Sequence, residues 1–233
     1  NTSVNMARVS FVDRFWKWPD GWVWRVTRAA TARSRRRRFT LFMQAMHPGP
    51  EDRVLDVGAG EGEGRDVNFF EAGYPWRSQI TAVALEDLPV FRRAFPEVSF
   101  VIADGCQLPF SDQSFDLFFS NAVLEHVGSS ARQKQFVHEA CRVSHRVFLS
   151  TPHRWFPIDA HTMIPFAHWF PLVWRNAIYR FFGRTYFASE ERLHLVDVLE
   201  LRQMIPAGYR MRVYRQRMFG MTANLNVVIE PRS

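Results

Sequence analysis

The chain has 233 residues, of which 47% are hydrophobic and 23% are charged, and this balance excludes both a disordered chain and a coiled coil. The length fits one domain with an elaboration better than two independent domains. The net charge of +7 is unevenly divided, with +8 over residues 1–50, −6 over residues 51–200 and +5 over residues 201–233. We therefore look for a site, and for a ligand that carries positive charge, in the acidic middle of the chain.

The first 50 residues are basic and aromatic. Residues 21–46 predict a helix that ends before the Pro-Gly-Pro sequence at residues 48–50. Residues 35–38 are all arginine (Arg35, Arg36, Arg37 and Arg38), and successive helical positions are about 100° apart, so four in a row cannot all face solvent on a packed helix. We expect them at an exposed turn or helix end. With the tryptophans that precede them they are candidates for contact with an anionic membrane surface, and we interpret residues 1–50 as a helical arm.

Short strand-like runs alternate with helical runs from residue 51 onward. The strand-like runs are rich in branched and aromatic residues and cover residues 54–57, 80–85, 98–102, 115–120 and 146–151. The helical runs between them cover residues 62–72, 88–95 and 131–143. This alternation predicts an α/β fold with a Rossmann-like, doubly wound and mostly parallel sheet, whose ligands bind at the carboxyl ends of the strands.

The pattern changes after the fifth predicted strand. Residues 153–188 are crowded with Trp, Phe and Pro, and we interpret them as an aromatic lid inserted into a single domain of residues 51–233. The other interpretation is a cap that buries its own rings. A helix is predicted over residues 189–204, and two strands, residues 211–219 and 222–230, then form an antiparallel hairpin around Gly220 that brings the sheet to seven strands.

Two features bear on location. The most apolar stretch, residues 163–174, is interrupted by Pro165 and Pro171, whereas a membrane span needs roughly 20 continuous apolar residues. We also find no continuous apolar segment of the signal-peptide type in the first thirty residues, and the two cysteines make no disulfide framework. We expect a cytoplasmic protein, with peripheral contact at the inner face of the membrane as an option.

A glycine-rich turn follows the first strand. Residues 54–62 read Val-Leu-Asp-Val-Gly-Ala-Gly-Glu-Gly, so a buried strand leads into a turn where the backbone can approach a ligand. A dinucleotide fingerprint needs a glycine where Glu63 stands, and no Gly-Lys-Ser/Thr follows for a P-loop. Glu61 and Glu63 would also repel a pyrophosphate. The turn favours a nucleoside with a cationic, phosphate-free tail, which describes S-adenosylmethionine (SAM).

Two later motifs complete a resemblance to a known family. Residues 101–110 read Val-Ile-Ala-Asp-Gly-Cys-Gln-Leu-Pro-Phe, and residues 120–127 read Ser-Asn-Ala-Val-Leu-Glu-His-Val. With the glycine turn, they make residues 50–152 resemble the class I SAM-dependent methyltransferases of the type 11 domain family, which includes ubiquinone- and menaquinone-biosynthesis-type enzymes. The resemblance implies SAM as cofactor and methyl transfer as activity.

The resemblance also implies the cofactor-binding residues, namely Asp56, Gly58, Gly60, Gly62, Glu86, Asp104, Gly105, Cys106 and Asn121. Asp56 and the first glycines would line the pocket for the methionine part, Asp104 would accept a hydrogen bond from the adenine amine, and Asn121 would lie near the sulfonium. One position departs from the family, because Ala84 stands where an acid usually holds the ribose hydroxyls. Glu86 or Asp87 could reach in from the loop, and the other interpretation is that both only cap the next helix.

Three histidines are candidate catalytic bases: His126, His153 and His161. An acceptor hydroxyl must lose its proton during methyl transfer, and histidine titrates near neutrality. Each of the three is also explained as a surface or structurally satisfied residue. We predict no metal site, because the histidines and Asp159 of the loop after the fifth strand fit no usual zinc spacing such as H-E-x-x-H.

We predict a SAM-dependent methyltransferase that moves a methyl group to a hydrophobic small molecule or lipid-linked glycan, at oxygen. One alternative is a SAM-fold binding or partner protein without catalysis, which only the missing acid at Ala84 supports. A nucleic-acid-binding protein is disfavoured, because nothing but the charge suggests it and no nucleic-acid-binding module is visible. The oligomeric state is left open.

Overall fold

A computed structural model describes residues 22–62 and 67–232, with side chains from residue 31 onward. The described strands are β1 (Val54–Val57), β2 (Ile80–Ala84), β3 (Ser99–Ile102), β4 (Phe115–Asn121), β5 (Ser144–Pro152), β6 (Tyr209–Met218) and β7 (Met221–Pro231). The described α-helices are α1 (Trp22–Met46), α2 (Phe69–Gly73), α3 (Pro89–Ala94), α4 (Ser130–Val143), α5 (Leu172–Phe181) and α6 (Val198–Met204). None of the described helices is both long enough and apolar enough to cross a bilayer.

The seven strands form one sheet in the order β3-β2-β1-β4-β5-β7-β6. Strands β1 to β5 are parallel, and β7 runs antiparallel to both β5 and β6. The predicted fold class is therefore confirmed. The strand order reverses between β1 and β4, and a crevice at the carboxyl ends of the strands opens at such a point.

The sheet is covered on both faces, because neighbouring residues along a buried strand point to opposite sides. Phe118 of β4 packs edge-on against Phe136 of α4, with ring centroids 5.9 Å apart. Phe119, the next residue, stacks on Phe70 of α2 at 4.0 Å. Both faces are apolar and fully packed, so polar groups that bind a ligand are left to the ends of the strands.

Helix α1 is part of this packing, and it corrects one expectation. Arg35, Arg36, Arg37 and Arg38 lie in the interior of the helix, not at an exposed turn or helix end. The helix continues past the arginines because Phe42, beyond them, packs into the core. Phe42 is fully buried with its ring 5.4 Å from that of Phe119, and this contact fixes the rotation of the helix. Arg36 and Arg37 are consequently exposed, whereas Arg38 is partly buried. The division of the chain at residue 50 stays a prediction.

Two predicted helices are shorter than expected, and each difference has a local cause. Helix α2 begins at Phe69 and not at residue 62, because the Asn68 side chain turns back to bond the glycine turn; residues 63–66 lie outside the described part. Helix α6 begins at Val198 and not at residue 189. Asp197 and Glu200 form a capping box that starts the helix there, since each side chain bonds a backbone N–H of the other.

The segment that we interpret as a lid contains its own small core. Helix α5 lies within it, and Tyr179 of this helix is buried with Leu193 and Leu195 from the segment that follows. Other large side chains of the segment face solvent, including Val173, which is 79% exposed, and Trp174, which is 68% exposed. Its role as a lid stays a prediction.

Candidate active site

The glycine turn after β1 has the geometry that its sequence predicts. Gly58 has a φ of +114°, which side-chain-bearing residues rarely adopt, and its N–H donates to the Val83 carbonyl at 2.9 Å. A Cβ atom at this position would collide with the Val123 side chain that follows β4. The turn therefore needs glycine here both for its backbone and for its close approach to the β4 end.

Asn68 holds the glycine turn in place by hydrogen bonds, a role that was not predicted from the sequence. Its side-chain oxygen accepts from the Gly60 N–H at 3.1 Å, and its amide donates to the carbonyls of Gly60 and Gly62 at 2.9 and 2.8 Å. Asn68 is only 3% exposed. One buried side chain thus fixes the path of both glycines.

Asp56 lies below the turn, paired with another acid. Burial, followed by the charge and hydrogen bond of Glu71, raises the pKa of Asp56 well above its ordinary value. Burial also raises the pKa of Glu71. The pair therefore keeps a proton at pH values where exposed carboxyl groups are ionised.

The place expected for a ribose-binding acid lies at the end of β2. Glu86 is exposed there, two residues beyond Ala84. The structure adds a second carboxylate that the sequence analysis did not assign, because the Glu61 side chain accepts from the Val90 N–H of α3 at 3.0 Å. The Glu61 side chain thus extends from the glycine turn to the helix that follows β2. Because Glu61 and Glu86 both lie at this end of β2, both are candidates for binding the ribose hydroxyls.

Asp104 follows β3 and is held in place by two bonds. Its carboxylate accepts from the Arg132 guanidinium at 2.7 Å and from the Cys106 N–H at 2.9 Å. Burial alone would raise the pKa of Asp104, but these bonds outweigh it and lower the pKa below the ordinary value. Asp104 therefore presents a fixed carboxylate at the edge of the crevice.

The two residues after Asp104 have roles in packing. A Cβ atom at Gly105 would lie 2.6 Å from the Phe136 ring, so the glycine is needed for close packing. The Cys106 thiol is 1% exposed and donates to the Arg132 carbonyl at 3.4 Å, and burial, with the charge of Asp104, raises its pKa to about 11. The thiol is therefore buried in the core, and the part of Cys106 in binding the cofactor stays a prediction.

Asn121 ends β4 and meets a residue from the N-terminal helix. Its side-chain oxygen accepts a short hydrogen bond from Arg38, which also donates to Ser34 at 2.9 Å and to Gln216 at 3.3 Å. Burial lowers the pKa of Arg38 to about 10, although the charge of Glu125 opposes this shift. A cation from α1 thus reaches the strand ends, a contact that the motifs did not predict.

Two of the three predicted histidines lie together. The Nε2 atoms of His126 and His161 are 3.0 Å apart. His161 is oriented by Asp159, whose carboxylate is 2.8 Å from its Nδ1 atom. Burial alone would lower the pKa of His161, but the hydrogen bond and charge of Asp159 raise it above the ordinary value.

His153 is held elsewhere. Its Nδ1 atom lies 3.3 Å from the Thr222 carbonyl of β7, and burial lowers its pKa. The structure thus brings His126 and His161 together and ties His153 to the terminal hairpin, so the first two are the better placed candidates for a base.

Glu125 lies beside the histidine pair and was not singled out by the sequence analysis. It is fully buried, and one of its carboxylate oxygens accepts from the Thr151 hydroxyl at 3.0 Å. Burial raises its pKa, while the nearby His126 and His161 oppose the shift. One ligand atom from each of these three residues lies within 4.8 Å of the others. The prediction of no metal site was based on spacing along the chain, which does not detect this set.

Comparison with known proteins finds relatives of the central part of the chain. Residues 55–146 match the model of a methyltransferase domain, and the family predicted from the motifs is thereby confirmed. A probable S-adenosylmethionine-dependent methyltransferase of Mycobacterium tuberculosis is 34% identical over 124 residues, which are 51% of this chain and 42% of that protein. A demethylmenaquinone methyltransferase of Renibacterium salmoninarum is 36% identical over 85 residues, 35% of this chain and 33% of that protein. The chain thus spans less than half the length of these curated relatives.

Solved structures with low sequence identity share the fold. The 1,6-didemethyltoxoflavin-N1-methyltransferase of Burkholderia thailandensis, solved with 1,6-didemethyltoxoflavin and S-adenosylhomocysteine, has a TM-score of 0.55 at 18% identity and covers 85% of this chain and 78% of its own. The YcgJ protein of Bacillus subtilis has a TM-score of 0.55 at 14% identity and covers 85% of this chain and 100% of its own. At this identity they establish the architecture alone.

Proposed function

Because residues 55–146 belong to the methyltransferase domain family, we propose that this chain is a SAM-dependent methyltransferase. The observation that carries the proposal is the set of groups at the carboxyl ends of neighbouring strands. The Gly58 turn follows β1, the Asp104 carboxylate follows β3 and the Asn121 amide ends β4. Together they border the crevice where a nucleoside would lie across the sheet.

The acid groups of this edge suit the charge of SAM. Its sulfonium and amino groups are cationic, and residues 51–200 carry a net charge of −6. On this proposal the Gly58 turn contacts the methionine part, Asp104 accepts from the adenine amine, and Glu61 or Glu86 binds the ribose. The Cys106 N–H and the Arg132 guanidinium keep Asp104 ionised and fix its carboxylate.

The acceptor atom we propose is a hydroxyl oxygen, and the observation that favours it is the histidine pair. As the oxygen attacks the methyl carbon, the bond from that carbon to sulfur breaks, S-adenosylhomocysteine leaves, and the hydroxyl proton passes to a ring nitrogen of His126 or His161. Asp159 would stabilise the imidazolium that forms on His161. A carboxylate acceptor would need no such base.

The acceptor we propose is a hydrophobic small molecule or a lipid-linked glycan. The lid segment supplies exposed aromatic surface, with Trp155 47% exposed and Phe170 50% exposed. The relative from Renibacterium salmoninarum acts, by its name, on demethylmenaquinone. A peripheral contact with an anionic membrane is the matching proposal for location, supported by the exposed Arg36 and Arg37 on α1.

Calorimetry with S-adenosylhomocysteine tests the cofactor part of the proposal. We expect saturable binding by the wild-type chain and at least tenfold weaker binding, roughly 1.4 kcal/mol, by Asp104→Ala. Glu97→Ala is the matched control, because the Glu97–Arg77 ion pair at 3.1 Å has an exposure similar to that of Asp104–Arg132 but lies at the other end of β3. A folded wild-type protein that binds neither SAM nor its product contradicts the proposal.

Transfer of a radiolabelled methyl group from SAM tests the acceptor part. Hydrophobic phenols and lipid-linked sugars are the acceptors to compare with an aromatic carboxylate. We expect His126→Gln and His161→Gln to lower kcat for hydroxyl acceptors by at least about 100-fold, as loss of a general base does, with affinity for S-adenosylhomocysteine unchanged. Equal rates in wild type and both variants would exclude the histidine pair as the base.

A further inference from the structure

The ring nitrogens of His126 and His161 that face each other both lack a proton when the rings are neutral. The Nδ1 atom of His126 lies 2.8 Å from the Arg192 carbonyl, which only accepts hydrogen bonds, so this nitrogen carries the proton. The Nδ1 atom of His161 likewise donates to the Asp159 carboxylate at 2.8 Å. Two lone pairs on Nε2 therefore meet at 3.0 Å, an arrangement that is repulsive unless a cation lies between them.

A third electron-pair donor points to the same place. The Oε1 atom of Glu125 is buried and has no hydrogen-bond partner among the described residues, although the residue is 0% exposed. A buried carboxylate oxygen without a partner is costly. A carboxylate oxygen of Glu125 lies within 4.8 Å of a ring nitrogen of each histidine. One cation at this point would satisfy the three donors together.

We propose that Glu125, His126 and His161 form a binding site for a divalent first-row transition ion such as Zn²⁺. Two histidines and one carboxylate are a donor set that such ions take in catalytic sites, with positions left open for other ligands. Two nitrogens bound at about 2.0 Å to one tetrahedral ion lie about 3.3 Å apart, so the observed 3.0 Å needs only a small adjustment.

The groups behind the three donors fit the same interpretation. Metal-binding histidines commonly donate their second N–H to a carboxylate or a backbone carbonyl, and His161 and His126 do so to Asp159 and Arg192. The second oxygen of the Glu125 carboxylate is fixed by the Thr151 hydroxyl at 3.0 Å. Asp159 in turn accepts from the Thr162 N–H at 2.9 Å, which fixes its own orientation.

A proton shared by the two rings is the competing occupant. It would relieve the repulsion between the Nε2 atoms, but it would leave the buried Oε1 atom of Glu125 without a bond. The metal ion accounts for all three donors and is therefore the occupant we propose.

The ion would change how the acceptor is activated. With both Nε2 atoms bound to the ion, neither ring would be free to take the proton. A hydroxyl bound in an open position of the ion would instead lose its proton to solvent, and at lower pH than the free hydroxyl does. This role rests on the proposed methyl transfer, whereas binding of the ion does not.

Titration of the chelator-stripped chain of residues 1–233 with Co²⁺ tests the site, with visible absorption as the readout and displacement by Zn²⁺ as confirmation. We expect one strongly absorbing Co²⁺ per chain. His161→Gln and Glu125→Gln should bind it at least about tenfold more weakly, with folding checked by circular dichroism. His138→Gln, at an exposed position on α4, is the control histidine and should bind like wild type.

Three outcomes overturn the proposal. The first is that the folded wild-type chain binds no Co²⁺, and the second is that wild type and His161→Gln bind Co²⁺ equally well. The third is that nuclear magnetic resonance detects a proton shared by His126 and His161 in the presence of excess Zn²⁺. Calorimetry with S-adenosylhomocysteine is run on the same samples. Loss of cofactor binding with Co²⁺ binding retained would count against the proposed function alone.

Discussion

The cofactor side and the acceptor side of the crevice are built in opposite ways. On the cofactor side, the Gly58 turn and Asp104 follow directly from short motifs of consecutive residues, although Gly58 also bonds Val83 and Asp104 also bonds Arg132, 25 and 28 residues away. Where the two sides join, Arg38 meets Asn121, a predicted cofactor-binding residue, across 83 residues. On the acceptor side, His126 meets His161 across 35 residues. The cofactor side can therefore be read from local sequence, whereas the acceptor side exists only when distant segments pack correctly.

The strongest way to break this comparison is to loosen α1. Phe42→Ala removes a fully buried ring that contacts Phe70, Phe119 and Phe148, and we expect it to lower the free energy of unfolding by about 3–5 kcal/mol. Urea denaturation measures the change. Phe219→Ala is the control, because Phe219 is 93% exposed and its loss should cost less than about 0.5 kcal/mol. Similar losses in both variants would show that α1 contributes no core packing.

The next test attacks the cofactor side by itself. Gly58→Ala introduces a side chain at a φ of +114° and against Val123, and we expect affinity for S-adenosylhomocysteine to fall by at least tenfold, about 1.4 kcal/mol. Gly220→Ala is a matched control, since Gly220 has a φ of +79° but open space around its Cβ position. The control should strain the terminal hairpin and leave the affinity unchanged. If both variants bind equally well, the turn does not position the cofactor.

Arg38→Met separates the two sides. Arg38 bonds to Asn121 and Gln216, so its loss should raise KM for the acceptor or lower kcat by up to about tenfold, the worth of one hydrogen bond to a charged group. Affinity for S-adenosylhomocysteine should change less than twofold. Arg37→Met, at an exposed position on the same helix, is the control for charge. A loss of cofactor affinity as large as the loss of activity would mean that the two sides are one unit.

The last test concerns the buried Asp56–Glu71 pair. The folded-state pKa of Asp56 is raised, so its contribution to stability is complete below the unfolded-state pKa of about 4 and is lost as pH rises through the raised value. Across that window the free energy of unfolding should fall by no more than about 1.4 kcal/mol per pH unit for each proton, and Asp56→Asn should flatten the slope. Denaturation midpoints measured at a series of pH values provide the check. An unchanged slope would show that Asp56 is not the group that titrates.

Local signals explain which parts of the fold and site were predictable. The strand β1, the glycine turn and the Asp104 motif depend on consecutive residues, so their positions followed from sequence. The start of α6 was also readable, because Asp197 and Glu200 have the spacing of a capping box that the helix prediction overlooked. Glu125 and Arg38 were missed for another reason, since each acts through partners that only the folded sheet brings near. Asn68 lies within eight residues of its partners Gly60 and Gly62, and it was missed because its spacing from the glycines matches none of the motifs considered.

The acceptor site depends on the number of residues in one stretch of helix α1. Phe42 anchors the helix to the sheet, and Arg38 lies four residues earlier, about one helical turn away and on nearly the same face. One residue inserted between them would leave the anchor in the core and rotate the guanidinium about 100° away from Asn121. The number of residues between Phe42 and Arg38, more than their identity, thus decides whether α1 contributes a cation to the crevice.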